Sequence, residues 1–508
     1  MPVIPDGTSP LPLQDLVRKG ALWSAGSTLF LRFANIGIMA IVARIVAPDA
    51  FGIFALAMVV QGVVVSLAEL GVSSALLRSD LDPDRIAPTV ATISIVTSFA
   101  LGTLMAVFAL PLATALGSAD AADPLRVMAI SVALIGPFAV PSAQIQREFR
   151  QDVIFRAAAI AFVPSSAILI VVSLLGDGAM AFAWSRVAAQ LVAGIIVTLA
   201  VRTKYRPGFR RDQVRMLVGF GLPLAMANLL SQALLNVDYV FVGHSLGTEA
   251  TGLYAMAFTI AGWSTAVISS VLNGIVQPAF SKVRHDGGDL RDALFRSTRT
   301  VAVVAFAICA ITLSLAEPLL TTIYGPQWTS AAPALVGLSV YGAVFVVCLL
   351  LANIIISTGR TGMLFLVQVI ALAALLPAMA AGVRFGGLVG VALAHIAITA
   401  GITFPLYAML IRRTISKAPS VIVAALAWPT VAAVLSGLSA WSVALLLPTP
   451  VTKFLVGGVV GALVYLIAAA PIIAPLVSPM LHRMPVAAVL LAHLSRPARW
   501  VAQRVGGG

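Results

Sequence analysis

Charge is scarce in this chain. Asp, Glu, Lys and Arg make up 10% of its 508 residues, against 60% hydrophobic ones. A soluble domain carries about 25% charged residues, so an ordinary water-exposed globule is excluded. Mean hydropathy is +1.03. Cysteine is nearly absent. Cys309 and Cys348 are the two, both in apolar stretches and without metal-ligand spacing, so they read as packing residues. Acids are the scarcer sign, 19 against 32 Lys and Arg, for a net charge of +13. The basic excess is scattered in short clusters, which fits membrane topology and anionic lipid rather than nucleic acid. Catalytic and nucleotide signatures are missing too. No GxxxxGK[ST] or HExxH occurs, and no GxGxxG opens a βαβ unit. Nothing resembles an ATP-hydrolysing loop or a catalytic centre, and no cofactor is expected.

Long apolar runs are what the chain has. Fourteen segments reach about the ~20 residues needed to cross a bilayer. They fall near 20–46, 51–72, 89–111, 125–145, 156–175, 178–200, 216–242, 250–278, 299–323, 331–356, 363–382, 386–411, 421–447 and 453–477. Of the 32 Lys and Arg, 26 fall in the two tails and every second connection. The opposite connections hold only Arg384 and Lys453, and four lie within or at the ends of segments. By the positive-inside rule this split predicts both termini on the cytoplasmic side. The opposite connections are too short for a soluble domain. Residues 1–19 lack an apolar core followed by a small-residue cleavage site, so the first helix is expected to be a retained signal anchor.

An internal repeat lies at an offset of 200. IVARIVAPDAFGIFALA (41–57) parallels FVGHSLGTEATGLYAMA (241–257), matching Val42/Val242, Gly52/Gly252, Ala55/Ala255 and Ala57/Ala257. Both copies start from the same side, so the repeat is parallel. The fold class expected is an all-α polytopic membrane protein of fourteen helices, N-in and C-in, with two six-helix lobes plus two C-terminal helices. The divisions are a tail at 1–19, an N-lobe at 20–200, a basic cytoplasmic linker at 201–215, a C-lobe at 216–411, the last two helices within 412–477, and a cytoplasmic tail at 478–508.

Polar groups inside the spans are the candidate working parts. A central Arg costs about 2.5–3.5 kcal/mol on insertion, so such a residue usually faces a cavity or a partner. Arg32 in the first segment shares a face with Thr28 and Asn35. Asn228, Gln232 and Asn236 form a matching stripe in the seventh, with Gln232 at the repeat position of Arg32. Arg186 and Gln190 lie one turn apart in the sixth. These residues either line a cavity or bond neighbouring helices within a lobe, the latter worth about 0.6 kcal/mol apiece. Glu69, Asp238, Arg44 and His395 are candidates for a gate or an ion-coupling site. Asp238 could pair with Arg44 or Arg126, or cap its own helix end. His395 could titrate or simply pack.

The stretch VARIVAPDAFGIFALAMVVQGVVVSLAELGVSSALLR (42–78) resembles the N-terminal signature of the Wzx-type polysaccharide flippases. These belong to the multidrug/oligosaccharidyl-lipid/polysaccharide exporter superfamily. GLPLAMANLLSQALLNVDYVFVGHSLGTEATGLYAMA (221–257) and NGIVQPAFSKV (273–283) are similar to it as well. The resemblance implies a two-lobed transporter of the bacterial cytoplasmic (inner) membrane with a cationic cavity. It implies that Arg32 and Arg186 meet undecaprenyl-diphosphate-linked oligosaccharide, moved from the cytoplasmic to the outer leaflet by alternating access. Membrane lipid, polysaccharide polymerase and glycosyltransferase machinery are the partners implied, and a proton gradient, a sodium gradient or the membrane potential the drive. The competing readings are a drug/cation antiporter of the same fold, a membrane enzyme acting on lipid-linked sugar, and a scaffold of envelope synthesis.

Overall fold

The computed structural model describes residues 31–68, 76, 82–148, 150–271, 288–357 and 361–481. Expectations on Thr28, Glu69, the 1–19 tail and nearly all of the 478–508 tail lie outside them.

Among the described residues every regular element is a helix. In chain order they are α1 Leu31–Val42, α2 Pro48–Ala68, α3 Pro83–Val107, α4 Ala109–Ala115, α5 Ala122–Arg147, α6 Gln151–Leu174, α7 Gly178–Ala200 and α8 Arg211–Val271. There follow α9 Leu290–Ser314, α10 Ala316–Ile323, α11 Ala332–Ser357, α12 Thr361–Ile398, α13 Phe404–Arg412, α14 Ala418–Leu445 and α15 Pro450–Leu481. Among the described residues ten helices are long and apolar enough to cross a membrane. Phe385, Leu446 and Leu175 are 83%, 84% and 79% exposed. Such apolar surface is rare on a water-soluble monomer and natural against lipid. The chain is a multi-pass membrane protein.

Two expected pairs of spans are pairs of helices that meet at a kink on one glycine. The break between 216–242 and 250–278 is a single residue, Gly247, at φ 84 within α8. The break between 363–382 and 386–411 is Gly387, at φ 53 within α12. Positive φ is cheap only for Gly, so each turn rests on that residue.

Two other expected spans end early. Segments 89–111 and 299–323 begin sooner, at Pro83 and Leu290, because Asp82 and Asp289 cap those starts. Each side chain accepts the N–H two residues on, at 3.0 and 2.8 Å. They stop at Val107 and Ser314, and short helices α4 and α10 follow. These hairpins expose a second internal repeat. Ala109, Pro111, Leu112 and Thr114 recur 207 residues later as Ala316, Pro318, Leu319 and Thr321. Each Pro sits in the first turn of its short helix, where no N–H is required. Each Thr hydroxyl donates four residues back, at 2.9 Å. Each short helix is followed by a glycine at positive φ, Gly117 (98°) and Gly325 (112°).

The chain divides into two compact units, Met1–Thr251 and Gly252–Gly508. The first is built around Leu56, Ala57, Met105, Leu125, Met128, Val132 and Ala183, with the Phe54 and Phe182 rings stacked at 4.7 Å. The second centres on Leu294, Val301, Leu350, Leu351, Ile354, Tyr407 and Ile422. The basic 201–215 stretch is strapped to the first unit. Gly208 N–H donates to the Pro88 carbonyl at 3.0 Å, and Thr92 Oγ1 to the Gly208 carbonyl at 2.7 Å. Buried Thr89 donates to Gln213 Oε1 at 2.7 Å, and Gln213 Nε2 donates to the Arg85 carbonyl at 3.2 Å. The Tyr205 hydroxyl donates to Asp84.

Candidate functional site

Within the first unit, α1, α2, α5, α6 and α7 surround a cavity of about 750 Å3. Its walls carry Asn35, Gln61, Ser131, Ser142, Gln146, Ser165, Arg186 and Gln190 among apolar residues. The volume falls in the ~300–1,000 Å3 typical of ligand sites.

Local sequence explains the room. Pro137 in α5 has no N–H to give the Ala133 carbonyl. The buried Ser98 hydroxyl lies 3.2 Å from that carbonyl, shared with the Ile95 carbonyl at 3.1 Å, and accepts the Gly136 N–H at 3.1 Å. Gly136 must stay bare, since a Cβ there would lie 2.3 Å from the Ser94 carbonyl oxygen. α3 and α5 therefore pack backbone to backbone. On the cavity side the Phe138 ring lies flat on Gly194, where a Cβ would fall within 2.0 Å of it.

Arg186 opens onto this cavity from α7. Its Nε donates to Gln61 Oε1 at 3.2 Å. Gln61 Nε2 donates to Ser131 Oγ at 2.6 Å, and Ser131 Oγ to the Met128 carbonyl at 2.7 Å. A guanidinium can only donate, so it fixes the Gln61 amide with oxygen toward Arg186 and nitrogen toward Ser131. Every group in the relay is therefore oriented by the one cation. Gln61 and Ser131 are 4% and 3% exposed. Among the described residues no carboxylate lines the cavity. The terminal nitrogens of Arg186 make no hydrogen bond to a described residue, so four N–H donors remain for an anion or water.

The other sequence candidates fall in varied places. Asn35 and Gln190 line the cavity; Asn35 Nδ2 also donates to the Leu31 carbonyl at 2.8 Å. Arg32 is exposed at the start of α1 and is not among the lining residues. Gln232 packs against Gly62 of α2, its Nε2 lying 2.5 Å from where a Cβ would be. Asn236 Nδ2 donates back to the Gln232 carbonyl at 2.8 Å, and Asn228 is half-buried. Buried Asp238 accepts the Tyr239 N–H at 3.0 Å. Arg126 pairs with Asp123 at 2.5 Å, and Arg44 is exposed. In the second unit, His395 is buried with the Tyr341 ring 4.6 Å and the Phe258 ring 6.2 Å from its own. Gln61, Ser131, Ser142, Gln146 and Ser165 are lining residues that the sequence reading missed. Gln61 carried a usable signal, an amide in the middle of an otherwise apolar span.

Comparison with known proteins agrees with this architecture. Residues 41–333 match the family described as polysaccharide biosynthesis protein. The chain is 28% identical to the succinoglycan biosynthesis transport protein ExoT of Rhizobium meliloti (strain 1021), covering 73% of this chain and 76% of that one. It is 22% identical to the lipopolysaccharide biosynthesis protein WzxC of Escherichia coli (strain K12), covering 75% and 78%. Among solved structures it superposes on the lipid II flippase MurJ with a TM-score of 0.68 at 16% identity, covering 90% of this chain and 100% of that one. A multidrug resistance MATE family transporter gives 0.60 at 16% identity, covering 75% and 94%. These two show a shared fold. The family match spans more than half the sequence, and the chain belongs to the polysaccharide biosynthesis protein family.

Proposed function

We propose that this protein translocates a lipid-linked oligosaccharide, carried on a polyprenyl diphosphate, across the bacterial cytoplasmic membrane for surface polysaccharide assembly. The observation that carries the reading is Arg186, a guanidinium without a carboxylate partner facing a cavity walled by amides and hydroxyls. A diphosphate offers oxygens in the bidentate geometry a guanidinium matches, and such charge-assisted bonds are the strong ones. Gln190, Asn35, Gln146 and the serines supply donors and acceptors for the first sugars. A drug/cation antiporter would instead need an acid in this cavity.

The same reading covers the finer topology. The chain crosses fourteen times with both ends inside, as two six-helix lobes and two added helices. Arg32, Thr28 and the Asn228, Gln232 and Asn236 stripe line the path in another state of an alternating-access cycle. Glu69, Asp238, Arg44 and His395 are the groups from which gating or proton or sodium coupling is built. The membrane potential supplies about 2.3 kcal/mol per charge per 100 mV. The polymerase and glycosyltransferases act before and after this step.

The test is export of surface polysaccharide by a strain that depends on this protein. Arg186→Ala should lower export ~10–100-fold at unchanged protein abundance, the loss expected for a hydrogen bond to a charged group. Arg186→Lys should retain part of it, because an ammonium binds phosphate as a point charge. Full export by a normally abundant Arg186→Ala protein would overturn the assignment.

A further inference from the structure

The second unit holds a different cavity, about 950 Å3, between α9, α11 and α14. It is a groove walled by small and apolar side chains, among them Ala310, Ala343, Ala433 and Gly437. Phe306 and Thr430 line it from the middle of α9 and α14, and Glu317, Trp441 and Lys453 line it from near helix ends, here called its mouth. Thr430 and Trp441 are eleven residues apart on α14. At ~1.5 Å per residue that wall is ~16 Å long, the depth of one leaflet of a ~30 Å hydrocarbon core.

The mouth carries two opposite charges, Glu317 in the first turn of α10 and Lys453. Among the described residues, neither Glu317 nor Lys453 enters an ion pair. Lys453 is misplaced on two counts. It is one of two cations in the connections on the side away from the basic loops, against the charge rule for topology. It also sits in the first turn of α15 (Pro450–Leu481), where the helix dipole disfavours a cation. A charge kept there implies an anion to meet it. Trp441 is 52% exposed, as a residue at the headgroup level should be.

We propose that this groove is a binding site for one zwitterionic, amine-bearing phospholipid. Its phosphate meets Lys453, its ammonium meets Glu317, and an acyl chain fills the groove down to Phe306. An apolar groove left unfilled would forfeit dispersion contacts along its whole wall. The one-leaflet depth suits an acyl chain, whereas a polyprenyl chain is several times longer. The leaflet follows from the topology proposed above and is the outer one. The site is separate from the Arg186 cavity, so it stands or falls independently of the transport reading.

The test uses the full chain reconstituted in discs of equal phosphatidylethanolamine and phosphatidylglycerol, then extracted in mild detergent. Lipid retained per protein is read by mass spectrometry. The wild type should retain phosphatidylethanolamine in preference. Lys453→Gln should lower retention of both lipids about tenfold. Glu317→Gln should erase the preference while leaving phosphatidylglycerol retention unchanged. As a readout that leaves the mouth charges intact, phosphatidylethanolamine with brominated chains should quench wild-type fluorescence more than that of Trp441→Phe. Equal retention of both lipids by the wild type and both variants would mean ordinary boundary lipid and overturn the proposal. Retention of a polyprenyl phosphate in place of phosphatidylethanolamine would overturn it as well.

Discussion

The two units repeat the same packing and carry different chemistry. At the 200-residue offset, Leu56 and Met256, and Ala57 and Ala257, are fully buried pairs. Gly62 recurs as Gly262, but Gln61 becomes Ala261. After the hairpins the offset grows, and the 209-residue spacing that pairs Pro124 with Pro333 sets Arg186 on His395. Arg186 opens onto a polar cavity through its bond to Gln61. His395 is shut among the Tyr341 and Phe258 rings. The open volume of the second unit lies elsewhere and is apolar. Selection of packing is thus common to both copies, while the cation and its relay belong to one.

The strongest way to break this comparison is to move the cation. His395→Arg would bury a guanidinium among aromatic rings, at a cost of about 3–5 kcal/mol. Abundance in the membrane should collapse, as read by immunoblot of membrane fractions. A His395→Arg protein that accumulates normally would mean the second unit has polar room where Arg186 has it.

Next in size are the hairpin glycines. Gly117 and Gly325 share a positive φ, so replacement by Ala strains each by ~1–2 kcal/mol. At Gly117 the new Cβ would also lie 2.5 Å from the Gly243 carbonyl oxygen. A backbone atom cannot swing aside, so overpacking adds ~1–3 kcal/mol there. Thermal unfolding in detergent should therefore rank Gly117→Ala as the less stable. Equal midpoints would show that the two hairpins are alike in their surroundings as well as in their turns.

A smaller effect sharpens the role of the relay. Gln61→Leu removes the acceptor for Arg186 and the donor to Ser131, at a cost of ~1–3 kcal/mol. Gln61→Glu keeps an acceptor and adds a carboxylate that would compete with an anionic substrate for Arg186. Export should fall in both variants, and only Gln61→Leu should lose thermal stability as well. Unchanged export by Gln61→Glu would separate the relay from transport.

Much of the helical scaffold was legible in the sequence, because hydropathy reports the bilayer directly. Helix identity along 122–147, 151–174, 178–200 and 418–445 follows the apolar runs closely. The misplacements have physical causes. Asp82 and Asp289 extend helices past their apolar limits, and the connections expected around Gly247 and Gly387 shrink to kinks at those glycines. The cavity was legible only in part. Arg186, Gln190 and Asn35 stood out as polar residues at helical spacing. Gln61 and Ser131 reach Arg186 across 125 and 55 residues of chain, and no periodicity within one helix encodes that meeting. Gln232 shows the converse. Its place in a polar stripe carries no sign that it lies against the bare Gly62 of another helix.

The smallest expected effect concerns the basic stretches that follow α7 in the first unit and α13 in the second. The chain leaves α13 by a tight turn, with Lys417 at φ 58. It leaves α7 by the strap, in which Tyr205 donates to Asp84. Burial first, and the hydrogen bond to Asp84 second, push the Tyr205 phenol up to about 12 from its ordinary 10. Because the folded form holds this proton more tightly, the contact contributes in full below pH 10. Its contribution fades as pH rises through 10 toward 12. The side chain is largely exposed, so solvent screening leaves the contact worth only ~0.5 kcal/mol. Tyr205→Phe should accordingly lower the unfolding midpoint slightly at pH 8, and the gap to wild type should close by pH 12. A gap that stays constant from pH 8 to pH 12 would mean the hydroxyl plays no part in holding the strap, and the contrast between the two exits would then rest on backbone bonds such as Gly208 to Pro88 alone.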